Sequence, residues 1–199
     1  MEITQTQLDV LGEIGNIGSG HAATSLSILL QRRIEMSVPK VWTASIEQMA
    51  EIIEQIEVQQ AVVYVKVEGE ATGKAVFFFP IESAEMVVRT LLNLKSEEPV
   101  DMTEELVQSV LKEVGNIMVS AFLVALTEFS GIAFYPSVPA LAIDMAGAAL
   151  EGILLEDGIL DEQVLLIDTH LSGEPKLEGK FLFLPEEGTL NKLLEALGV

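Results

Sequence analysis

Val10-Leu11-Gly12-Glu13-Ile14-Gly15-Asn16-Ile17 and, one hundred residues later, Val110-Leu111-Lys112-Glu113-Val114-Gly115-Asn116-Ile117 decide how this chain is read. Ser37-Val38-Pro39 follows the first stretch, and Ser137-Val138-Pro139 follows the second at the same offset. Register held over such an interval marks an internal duplication. A duplicated fold repeats its core pattern. Here a carboxylate and a carboxamide are repeated with it, which points to a site in each half.

Each stretch lies in a run of helical period. Thr4-Gln5-Thr6-Gln7 reads as a capping box that opens a helix running to about Gln31. Asp101-Met102-Thr103-Glu104 opens its counterpart, which should stop at Gly131. At 100° per residue, Asp9, Glu13 and Asn16 fall within about 60° of one another, as do Ser109, Glu113 and Asn116. The apolar stripes, Leu11, Ile14, Gly18, Ala22 and Leu29, then Leu111, Val114, Met118, Phe122, Ala125 and Phe129, lie nearly opposite. Burying them turns both Glu–Asn pairs toward water.

A solvated helix face would explain one such pair. It does not explain two in register, beside glycines that each cost about 1 kcal/mol relative to Ala in a helix. Gly15 and Gly115 lie off the polar line, so close packing of another element is the expected reason for them.

Beyond the helices, β-rich passages span Ile34 to Ala44 and Ile132 to Ile143, with Pro39 and Pro139 breaking or edging a strand. A short helix should follow Ser45 and another Asp144. Strand-like runs then pair across Gly69–Gly73 (Ala61 to Val67, Ala75 to Phe79) and across Gly173–Gly179 (Val164 to Leu171, Lys180 to Leu184). Each half closes on a helix, Ser83 to Leu94 and Glu187 to Leu197. With Glu97-Glu98-Pro99 as the only joint, one pseudo-two-fold body is expected, made of repeats of about 1–98 and 99–199. The fold class is mixed α/β (α+β), with the two long helices packed on antiparallel sheet.

Composition narrows the function. The chain has 199 residues, 49% apolar and 21% charged, which is globular rather than disordered. Its net charge of −20, from 31 acidic and 11 basic residues, disfavours nucleic acid and anionic membrane surfaces as partners. With no Cys and two His, thiolate nucleophiles and zinc–thiolate sites are excluded and a His-rich metal centre is not expected. The run Ile117 to Leu126 is too short to span a bilayer, and no signal peptide is evident, so a cytoplasmic location is expected. Gly-Asn-Ile-Gly-Ser-Gly at 15–20 lacks the Lys and the preceding strand of a phosphate loop. Glu-x-x-Asn lacks the His of a dimetal bundle motif. His21 reads as a surface residue and His170 as structural.

The pattern Asp/Ser-x-x-x-Glu-x-x-Asn, then twenty-two residues, then Pro, resembles the CheC/CheX/FliY family of bacterial chemotaxis phosphatases. It is met at Asp9, Glu13, Asn16 and Pro39, and again at Ser109, Glu113, Asn116 and Pro139. Two copies, with no flagellar-switch domain in the sequence, make it most similar to the CheC type. The resemblance implies a CheC-like body and hydrolysis of the phospho-aspartate of the response regulator CheY, with the deamidase CheD as a further partner. Asn16 and Asn116 would position water, and Glu13 and Glu113 would engage the receiver's lysine. Asp9, Ser109, Ser120, Leu123 and Val124 are the expected partner contacts. By helical spacing the outward face of the second helix continues past Asn116 with Ser120, Leu123 and Val124, the last two being exposed aliphatics unless another element of the same fold covers them. No cofactor of its own is implied, because the receiver domain brings Mg²⁺. The alternative is a non-enzymatic adaptor that binds CheD or a receiver domain.

Overall fold

A computed structural model describes residues 3–44, 48, 56–95, 97–155, 164–173 and 177–199. The short helix expected after Ser45 lies outside them.

Helix α1 (Gln5–Leu30) opens as the sequence predicts. The Thr4 N–H donates to Gln7 Oε1 at 3.0 Å, and the Gln7 N–H donates to Thr4 Oγ1 at 3.3 Å. Helix α2 (Ile81–Leu92) closes the first half. Helix α3 (Glu105–Ser130) begins later than expected: its N-cap is Glu104, with no side-chain cap. Asp101 instead accepts from the Thr103 hydroxyl at 2.7 Å and the Thr103 N–H at 2.8 Å, closing a turn ahead of the helix. Those bonds, the hydroxyl's first, hold the Asp101 carboxyl below its usual pKa. Gly131, at φ 69°, ends α3 where expected. Helix α4 (Ala146–Leu155) follows Asp144, and α5 (Glu187–Ala196) ends the chain.

The strands are β1 (Ile34–Met36), β2 (Lys40–Ala44), β3 (Gln59–Gly69), β4 (Gly73–Pro80), β5 (Phe134–Pro136), β6 (Ala140–Met145), β7 (Val164–Gly173) and β8 (Leu177–Pro185). Hairpins β3–β4 and β7–β8 join through an antiparallel β4–β8 pairing, with Phe77 opposite Phe181. The short strands cross over. β1 and β2 of the first half pair with β7 of the second, and β5 and β6 pair with β3.

Both faces of the central strands are covered, which explains the unbroken apolar run Ala75 to Phe79. Ala61, Val63, Val65, Phe77, Phe79, Phe181 and Phe183 meet α1, α2 and α3 on one face. Val62, Val76, Phe78, Leu182 and Leu184 meet α4 on the other. Helix α3 has the length and composition to cross a membrane. Its apolar face instead forms the core, from Val107 through Leu111, Val114, Met118 and Phe122 to Leu126.

The buried stripes follow the expected lines with two exceptions. Phe129, in the last turn of α3, is 52% exposed rather than core. On α1 the stripe ends on buried Leu26 and Leu30, with Leu29 only half-buried beside them.

Candidate functional site

The rotation of the two long helices is set by close approach at glycine. A Cβ on Gly15 would stand 2.9 Å from Ile167 Cγ2 and 3.4 Å from the Cβ and Cγ of Pro39. A Cβ on Gly115 would collide with Val63 Cγ1. Each helix therefore rests its backbone directly on the sheet layer one residue before the asparagine. The packing reason expected for these glycines holds.

With that face locked down, Glu13, Asn16 and Glu113 are exposed and Asn116 is half-buried. Asp9 and Ser109, one turn earlier, are exposed as well, and Asp9 accepts a bond from Gln5 Nε2 at 2.8 Å. Each half thus carries a carboxylate and a carboxamide one turn apart, facing solvent on a helix that cannot rotate. Such a pair can hold a water through the amide and meet a cation through the carboxylate. His21 and His170 are both exposed. Only the backbone of His170 is structural, through its bonds to Ser37.

The partner-contact residues divide. Ser120 is half-buried and Val124 is 51% exposed, but Leu123 is 2% exposed and belongs to the core. The expectation that Leu123 offers itself to a partner is corrected. The chain turns back at Gly131 and lays β5 against α3, covering the flank on which Leu123 lies. Ser120, Val124, Thr127, Phe134 and Pro136 line a shallow apolar groove there. The contribution of Phe134 and Pro136 was not legible from helical spacing, since both come from the returning strand. Positions 120, 124 and 127 do continue the line of Asn116 along the helix.

The comparisons with known proteins bear on this arrangement. The model of the CheC-like family matches residues 7–42 and 106–143, the two intervals that hold both Glu–Asn pairs and both prolines. The chain is 33% identical to the CheY-P phosphatase CheC of Bacillus subtilis (strain 168) over 98% of its own length and 96% of that protein. This chain belongs to the CheC-like family. Its fold is also that of Thermotoga maritima FliY, with a TM-score of 0.78 at 23% identity, covering 100% of this chain and 98% of that one. A chain of the CheX–CheY–BeF3–Mg²⁺ complex from Borrelia burgdorferi matches with a TM-score of 0.58 at 21% identity, over 85% of this chain and 96% of the other. CheC-like membership and a duplicated Glu–Asn pair coincide on the same two helices.

Proposed function

We propose that this chain is a cytoplasmic phosphatase that hydrolyses the phospho-aspartate of a CheY-type response regulator. The observation that carries the reading is the display of the same Glu–Asn pair on each of two helices whose opposite faces are packed against the sheet. The kinship with a CheY-P phosphatase supports it.

In this reaction a water oxygen attacks phosphorus, the bond from phosphorus to the aspartyl oxygen breaks, and carboxylate and inorganic phosphate leave. An acyl phosphate is already labile, so the helper's task is positioning. Asn16 or Asn116 holds the attacking water through its amide without bringing a negative charge to the phosphoryl oxygens. Glu13 or Glu113 meets the receiver's active-site lysine and sets the register of the helix across it. Asp9, Ser109, Ser120 and Val124 border the docked receiver. The receiver supplies Mg²⁺, and this chain needs no cofactor of its own. The repeats, about 1–98 and 99–199, act as one unit, since the short strands of each are hydrogen-bonded to the hairpin of the other. CheD is a second partner on this reading, checked by co-elution of the two purified proteins.

The deciding experiment follows decay of phosphorylated cognate CheY with wild-type protein and with Asn16→Ala/Asn116→Ala. The wild type should accelerate decay and the double variant should not. Its circular dichroism and melting should stay within about ±0.5 kcal/mol of wild type, as for surface substitutions generally. Full activity in the double variant removes the asparagines from the mechanism.

A further inference from the structure

In the repeated Ser-Val-Pro triplet, both serines and Pro39 have evident structural roles and the valines have none. Ser37 donates its N–H to the His170 carbonyl at 2.8 Å, and its hydroxyl accepts the His170 N–H at 3.0 Å. Ser137 makes the same two bonds with Lys66, at 2.8 and 3.0 Å. Pro39 is buried against Gly15. Between them Val38 is 73% exposed and Val138 90% exposed. A short connection between strands ordinarily carries polar or turn-forming residues. A branched aliphatic side chain left in water at the same place in both repeats calls for something that covers it.

The place is informative. Gly15 directly precedes Asn16 and Pro39 directly follows Val38. The Gly15–Pro39 contact therefore brings the Ser37-Val38-Pro39 connection against the turn of α1 that carries Asn16. Helix α3 meets β6 as α1 meets β2, and Val138 stands at the same sequence offset from Asn116 as Val38 does from Asn16.

We infer that Val38 and Val138 are docking residues, each an apolar contact that a receiver domain buries as its phospho-aspartate reaches the adjacent asparagine. The inference rests on the phosphatase reading above. A second copy of this chain is a poor occupant, because two bodies of net charge −20 repel. An apolar contact beside the reacting group strengthens binding of the regulator before and during reaction alike, so it acts on KM rather than on kcat.

The test uses two double variants, Val38→Asp/Val138→Asp and the near-isosteric Val38→Thr/Val138→Thr. Phospho-CheY decay is measured over a range of regulator concentrations, and calorimetry measures binding to cognate CheY activated with beryllium fluoride and Mg²⁺. The Asp pair should raise KM and Kd together by about tenfold, the Thr pair by less, with kcat kept within about twofold. Unchanged KM and Kd in the Asp pair, or a fall in kcat at constant Kd, overturns the inference while leaving the phosphatase reading in place. Should the Asp pair fail to fold, unchanged KM in the Thr pair is the overturning result. A wild-type protein that does not accelerate decay overturns both.

Discussion

The ring of Phe122 lies on Gly18 where the two long helices cross: a Cβ at residue 18 would stand 2.5 Å from Phe122 Cδ2. One hundred residues away the sizes are reversed, with Met118 in the place of Gly18 and Ala22 in the place of Phe122. The crossing is a large side chain over a small one, so the duplicated helices have diverged where they meet while keeping their polar lines.

Gly18→Ala should therefore destabilise the protein although alanine favours helix. The Phe122 ring cannot retreat, being held 4.9 Å from the Phe181 centroid and 5.3 Å from that of Phe183. Overpacking of this kind costs about 1–3 kcal/mol, against a propensity gain of about 1 kcal/mol. Urea denaturation should show a net loss, and Phe122→Leu in the Gly18→Ala background should recover part of it. A more stable Gly18→Ala variant contradicts the crossing described.

Removing the serine bonds should cost stability in both halves alike. Ser37→Ala and Ser137→Ala each leave a backbone N–H, of His170 or Lys66, without its hydroxyl acceptor. Each should lower stability by about 1 kcal/mol, with the losses adding because the sites lie in opposite halves of the sheet. Thermal melts of the two single variants and the pair measure this.

The two sites should be unequal, the second being the stronger. Lys112 stands where the first helix has Gly12, which stiffens α3 beside its site. Val124 and the groove formed with Phe134 and Pro136 add apolar surface that Thr24 does not match. Leu123, buried in the core, adds nothing to that surface. Asn116→Ala should then slow phospho-CheY decay more than Asn16→Ala, and equal losses, or a larger loss at residue 16, reject the ranking.

Glu13→Gln with Glu113→Gln keeps side-chain size and removes the charge assigned to the receiver lysine. Decay should slow and regulator binding should weaken, and neutralising that lysine on the partner should remove most of the difference. A double-mutant cycle gives the coupling directly. Strictly additive losses mean that the groups do not meet.

Helical period and a repeat at fixed offset were enough to locate both long helices, both hairpins and the outward direction of Glu13, Asn16 and Glu113. These properties are local: a capping box, a glycine stop and an apolar stripe act over a few residues and leave their mark in the spacing. The burial of Leu123 and the exposure of Phe129 were not legible in that way. Both depend on which other elements pack against the C-terminal turns of α3, and helical spacing does not record that.

What the sequence by itself determined is the duplication, the identity of the two polar pairs and the helix face that carries them, because side-chain periodicity fixes which residues share a face. Only the tertiary structure decided that each half's short strands pair with the other half's hairpin, and that Gly15 and Gly115 seat their helices on Ile167, Pro39 and Val63. It also decided that the valines of the two Ser-Val-Pro triplets stand uncovered. The physical reason is that strand pairing and close packing join residues remote in sequence, and no local pattern records which partner a strand or a glycine will meet.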